Sequence, residues 1–206
     1  MNDPKKPGYQ STNELWGVKW PRIRRYIDNH VIRFMKFKLG DTCMDLGEVN
    51  PRISYLQNRT ALNFDSWSPP DLNFDSIDKE KHYDIITAFD IMEHLQCAMH
   101  TLSEMKKSLK DDGSIYINNP CNPRWLWSDE HFFEYPMKHF ERWIVNPLGL
   151  KVVRKKRIFF IANRKAFFIG VRPLLRVLRG ETTWRSMARS IFCWSFYIME
   201  IKKDIT

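Results

Sequence analysis

The sequence predicts an α/β protein built on a doubly wound, mostly parallel sheet, with an antiparallel strand pair at its C-terminal end. Three observations predict it. Apolar runs at Cys43–Leu46, Ala61–Phe64, Tyr83–Phe89 and Ser114–Asn118 alternate with segments of helical period. Strand, helix, strand, helix, strand at these spacings is the pattern of a parallel sheet with helical crossovers. Two later runs, Leu150–Phe160 and Phe196–Lys202, read as strands that pair antiparallel at one edge.

Residues 1–14 are polar and read as a flexible leader, followed by one domain over residues 15–206. From Trp16 to Leu39, apolar Ile23, Tyr26, Ile27, Val31, Phe34 and Met35 recur at spacings of three and four, which predicts a helix. Pro21 can open it, and Gly40–Asp41 ends it.

Thr42–Leu56 organises the rest. Cys43, Met44 and Leu46 form a short buried strand carrying Asp45 and followed by Gly47. Asn50 is a good N-cap, and Pro51 suits the first helical position, where a missing N–H costs nothing. A strand that feeds a helix N-terminus through a tight loop presents free N–H groups and the positive end of the helix dipole. Glu48, Val49 and Asn50 occupy that loop, where glycines would be expected.

The second strand, Ala61–Phe64, is expected to end at Asp65, 18 residues beyond Gly47. An acid at that place commonly holds a ribose diol in nucleotide-binding βαβ units. A polar loop then carries Asp71 near the same edge. Tyr83–Phe89 reads as a strand buried on both faces, and it ends in Asp90. Ile91–Leu109 reads as a helix, Asp111–Gly113 as a turn, and Asn119–Pro120 as the break after the next strand. Ligands of such sheets sit at the carboxyl ends of the strands. That edge would collect Asp45, Gly47, Asp65, Asp90 and Asn118–Pro120.

Residues 121–140 form a loop dense in Trp125, Trp127, His131, Phe132 and Glu134, suited to cover a site. Phe140–Val145 is expected to be helical. Residues 161–195 form a basic amphipathic insertion between the last two strands. Residues 151–180 hold ten basic side chains and no acidic one. Such a segment suits a peripheral membrane contact, the protein's own sheet, or a partner copy.

The net charge of +9 is unevenly placed: +6 over residues 1–40, −8 over 41–150 and +11 over 151–206. An acidic middle between basic ends does not form a uniform nucleic-acid surface. The four cysteines are scattered without a CxxC pair, as expected of free thiols in a reducing cytoplasm. No apolar signal core or spanning run is seen. The six histidines show no HExxH spacing, so no metal centre is expected.

Three blocks together resemble class I S-adenosylmethionine-dependent methyltransferases of the small, single-domain, type 11-like kind, with a Rossmann-like fold. They are DLGEVNP (45–51), YDIITAFDIMEHL (83–95) and LKDDGSIYINNP (109–120), and the resemblance covers about residues 40–160. It implies S-adenosylmethionine as cofactor. Asp45 and Gly47 would then border its amino-acid end, Glu48 and Asn50 would also bind the cofactor, and Asp65 would take the ribose hydroxyls. Asp71 or its neighbours would lie near the adenine. Phe89 and Asp90 would line the cofactor beside the methyl, with Glu93 and His94 just behind.

In-line displacement from a sulfonium needs positioning above all. A base is needed only where the acceptor holds its proton. His131 is the candidate, with Glu134 to orient it. The expected acceptor is a small molecule, a glycan or a lipid-linked group. Glu48 and Val49 keep open a binding protein that has the fold without turnover. An RNA methyltransferase is the less favoured alternative, and a nicotinamide dehydrogenase lacks its Gly-x-Gly-x-x-Gly loop.

Overall fold

The computed structural model describes residues 20–47, 51–77, 80–122, 124, 127, 130–161 and 193–204. Helix α1 spans Trp20–Phe34 and leads into β1, Cys43–Leu46. Helix α2, Pro51–Thr60, is followed by β2, Phe64–Trp67. Strand β3, Tyr83–Phe89, passes through a single 3-10 turn at Met92–His94 into α3, Ala98–Lys107. Strand β4 spans Leu109–Pro120. A helical run then begins as α4, Met137–Phe140. It widens to a π-helical turn over Glu141–Val145 and tightens to a 3-10 turn over Asn146–Leu148. Gly149 ends it in the left-handed conformation, the usual helix stop. Strands β5, Leu150–Ile161, and β6, Cys193–Lys203, complete the sheet.

The six strands lie in the order β2-β1-β3-β4-β6-β5. The first four are mutually parallel, and β6 runs antiparallel to both β4 and β5. The antiparallel pair expected from the sequence is present, with β5 at the edge and β6 between it and β4.

Alternation along the strands builds two cores. Ile86, Ala88, Ile115, Ile117, Tyr197, Met199 and Ile201 face α3 and the 137–148 run, packing on Leu102, Met105, Phe140 and Val145. Ile85, Tyr116 and Ile198 face the other way, onto Ile27 and Val31 of α1 and Ile53 and Leu56 of α2. Fully burying a side chain of this size contributes roughly 1.5–3 kcal/mol. The Tyr116 hydroxyl accepts from Lys36 N–H (2.9 Å), so it is buried with its polar end satisfied.

Several boundaries differ from expectation. Strand β2 starts at Phe64, because Cys43 pairs with Phe64 and Leu46 with Trp67. Asp65 therefore lies inside the strand. The predicted helix Ile91–Leu109 is broken at Leu95–Cys97, so α3 starts only at Ala98. The Asp111–Gly113 turn is a bulge within β4: Tyr83 pairs with Leu109 but Ile85 with Ser114. A Cβ at Gly113 would stand 3.0 Å from Asp84 O, which explains glycine there. The predicted leader and the interior of the basic insertion, 162–192, lie outside the described residues.

Candidate active site

The carboxyl ends of β1, β3 and β4 meet along one edge, and two residues there have positive φ. Gly47 follows β1 with φ 101°. Its N–H donates to Trp67 O (2.8 Å), and its carbonyl accepts from Ser66 Oγ (2.5 Å). A Cβ at Gly47 would meet Ile91 Cδ1 at 3.2 Å. Asp90 follows β3 with φ 56°, a conformation that Asp tolerates better than most side chains. Its N–H donates to Asn118 O (2.8 Å).

Beneath this edge lies a charged group that sequence reasoning missed. Arg52, in the first turn of α2, is 2% exposed. Its Nε lies 2.7 Å from Asp28 Oδ1, its Nη1 2.7 Å from Asp90 Oδ2, and its Nη2 donates to Asn118 Oδ1 (2.9 Å). The guanidinium also covers the Phe89 ring at 4.8 Å. A cation in the first turn of a helix opposes the helix dipole. That misfit was the available signal that Arg52 has acidic partners.

Asp45 is 3% exposed and accepts from Thr87 Oγ1 (2.5 Å). Burial pushes its carboxyl up to about 7, against the opposing pull of Thr87 and Arg52. Glu93 is also buried, and its carboxyl is held well above the usual range by burial and by Asp90 and Glu134. Among the described residues, Asp90 Oδ1, Glu93 Oε2 and Asn119 Oδ1 are buried without a hydrogen-bond partner.

The predicted covering loop contributes directly. Phe132 N–H and Phe133 N–H donate to Glu93 O (2.8 and 3.3 Å). This pins the 131–135 segment against the 3-10 turn after β3. His131 Nδ1 stands 2.7 Å from Glu134 Oε1, while Glu134 Oε2 accepts from Asn122 N–H and Nδ2 (2.8 and 2.9 Å). The His94 and His131 rings meet edge to face, 4.8 Å between centroids. Burial and neighbouring His131 lower the pKa of His94.

The structure thus gathers Asp45, Gly47, Asp90, Glu93, His94, His131 and Glu134 at or beneath one edge. Glu48 and Asn50 lie outside the described residues. Asp65 lies within β2 instead of at its end, and its carboxylate accepts from the Tyr83 hydroxyl (3.0 Å) and pairs with Lys81 (3.3 Å). Ser66 and Trp67 occupy the strand end in its place. Asp71 is exposed and closes its own turn by accepting from Asn73 N–H (2.8 Å). The Phe89 ring is buried in the core beneath Arg52.

The edge fits a cationic nucleoside cofactor. The half-buried Asp90 carboxylate and the buried acids Asp45 and Glu93 suit an ammonium and a sulfonium, and orphaned acceptor atoms are already there. Gly47 supplies a backbone conformation and close approach that a side chain would obstruct. A separate cleft of 570 Å³ lies at the opposite edge. Its charges are largely mutually engaged, through Asp84 with Lys110 and Arg154 with Glu200.

A search of curated proteins found no match to the sequence. The methyltransferase domain family matches residues 30–155. Solved structures share the architecture. An O-methyltransferase from the trans-AT PKS multienzyme of Brevibacillus brevis, in complex with S-adenosyl-L-homocysteine, superposes with a TM-score of 0.59 at 12% identity, over 98% of this chain and 82% of that one. The CcbJ methyltransferase from Streptomyces caelestis gives 0.53 at 9%, over 93% and 94%. A coclaurine N-methyltransferase bound to N-methylheliamine and S-adenosylhomocysteine gives 0.52 at 12%, over 88% and 71%. With more than half of its length matched, the chain belongs to the methyltransferase domain family, the Rossmann-like enzymes that use S-adenosylmethionine.

Proposed function

We propose that the protein methylates a hydroxyl or amine on a small-molecule, glycan or lipid-linked acceptor. The observation that carries this is the His131–Glu134 pair, 2.7 Å apart and pinned over the strand ends beside Asp90 and Glu93. When bound, S-adenosylmethionine supplies a methyl on a cationic sulfonium, which is a good leaving group. The protein's own residues then have three tasks. Asp45 and Gly47 border the amino-acid end, and Glu48 and Asn50 follow them in sequence. Asp90, fixed by Arg52, places negative charge near the sulfonium, with the Glu93 carboxyl beside it. His131 donates its Nδ1 proton to Glu134, so Nε2 holds the lone pair that takes the acceptor proton.

The coclaurine enzyme among the structural neighbours holds a small-molecule amine, which supports this acceptor class. Edge strand β5 exposes Lys151, Lys155, Lys156, Arg157 and Phe159. That surface supports a lipid-linked acceptor met at a membrane face. Among the described residues no helix is long and apolar enough to cross a membrane.

The test is a pair of measurements. Calorimetry should show one S-adenosylhomocysteine site per chain. His131→Ala should retain that site yet lose about 10²–10⁴-fold in methyl transfer to a hydroxyl or amine acceptor. Full transfer by His131→Ala would remove the proposed base.

A further inference from the structure

We propose that Glu93, His94 and His131 form a two-histidine, one-carboxylate site for a divalent transition-metal ion of the zinc type. One donor atom from each residue lies within 4.8 Å of those of the other two. The Glu93 and His94 side chains approach to 4.0 Å between Oε1 and Nε2. Ligand atoms around a four-coordinate zinc lie about 3.3 Å apart, from Zn–N and Zn–O lengths near 2 Å. Modest rotation of the two part-exposed imidazoles closes the difference.

Three further observations distinguish this group from a chance cluster. Glu93 is 2% exposed, and among the described residues its Oε2 has no hydrogen-bond partner. A bound cation would satisfy that buried oxygen. Each imidazole is already oriented through its other nitrogen. His131 Nδ1 is held by Glu134 Oε1 (2.7 Å) and His94 Nδ1 by Glu130 O (3.0 Å). A carboxylate or carbonyl behind each ligating histidine fixes the tautomer with the lone pair on Nε2. Lastly, the Phe132 and Phe133 N–H bonds to Glu93 O hold the distant His131 beside the Glu93–His94 pair. The site is therefore preassembled across 38 positions of sequence, which is why no spacing motif revealed it.

Two neutral imidazoles and one carboxylate suit zinc, cobalt(II), iron(II) or manganese(II). Three protein ligands leave a coordination position open. At the acceptor end of the proposed methyl-transfer site, that position would take an acceptor oxygen and weaken its O–H bond. The acceptor proton would then leave to solvent or to Glu134. In the loaded enzyme His131 Nε2 holds the ion in place of the proton. This role rests on the methyl-transfer proposal above, whereas ion binding does not.

The experiment is calorimetry with zinc chloride on the chelator-treated full chain, paired with the visible absorption of the cobalt(II) form. One site per chain is expected. His94→Ala, His131→Ala and Glu93→Gln should each weaken zinc at least about tenfold and abolish the cobalt band. Glu134→Gln should weaken binding by about 10–100-fold, as loss of a supporting carboxylate does. Far-UV dichroism and an S-adenosylhomocysteine titration on each variant establish that it is folded. Wild-type protein that binds S-adenosylhomocysteine but not zinc overturns the metal site and leaves methyl transfer standing. Zinc binding unchanged in folded His94→Ala and His131→Ala overturns it as well. Zinc binding lost in those variants, without any S-adenosylhomocysteine site, supports the metal site and removes the methyl-transfer role.

Discussion

Arg52→Met removes the guanidinium that joins α1, α2, β3 and β4. Its partners are Asp28 and Asp90 at 2.7 Å each, Asn118 at 2.9 Å and the Phe89 ring at 4.8 Å. The Asp28 side chain is 3% exposed, so Arg52→Met takes the cation away from a buried ion pair. Removing one partner of such a pair costs about 3–5 kcal/mol. Asp90, 27% exposed, regains some solvent and adds less. For a chain of this length 1 kcal/mol corresponds to roughly 2–4 °C, so Tm should fall by roughly 6–20 °C. Thermal unfolding followed by circular dichroism measures this. The double variant Arg52→Met/Asp28→Leu removes the other partner as well and should recover at least half of the loss. A fall below about 2 °C, or a double variant no more stable than Arg52→Met alone, would refute the buried-pair account.

Other consequences can be measured separately. Asp45 has a raised pKa, so protonated Asp45 suits the folded state and its contribution to stability declines as pH rises from about 4 towards 7. A cationic amino-acid group needs the carboxylate, so S-adenosylhomocysteine affinity should rise with pH through about 7; Asp45→Asn should flatten that profile, and an unchanged profile would exclude Asp45. Gly47→Ala puts a side chain at φ 101° and against Ile91; it should destabilise by at least about 1 kcal/mol in urea unfolding and weaken S-adenosylhomocysteine. Asp65→Ala should change that affinity by less than about threefold, below 1 kcal/mol, because Tyr83 and Lys81 hold its carboxylate. Lys155→Glu/Arg157→Glu should reduce sedimentation with anionic vesicles about tenfold or more, at about 1 kcal/mol per basic residue near the surface.

Much of the fold was legible because it rests on local pattern. The Tyr83–Phe89 run announced a central strand by composition alone, and Asn50–Pro51 marked the start of α2 by chain chemistry. Errors fell where pairing decides. Ala61–Phe64 was apolar enough to read as strand, but register against β1 moved β2 to Phe64–Trp67 and took Asp65 off the strand end. The Ile91–Leu109 pattern is helical in period, yet the chain makes a 3-10 turn first, where Glu93 O accepts from the 132–133 segment.

By itself the sequence determined most element types, the parallel sense of the first four strands and the family, because apolar period and strand-end acids are written within a few residues of each other. Tertiary structure alone decided that Arg52 reaches Asp28, Asp90 and Asn118, and that His131 stands beside His94 and Glu93. Those contacts join residues 24 to 66 positions apart. Their strength comes from burial, where an unpaired charge is costly and a paired one is held in place. Burial is a property of the folded chain, and no local spacing encodes it.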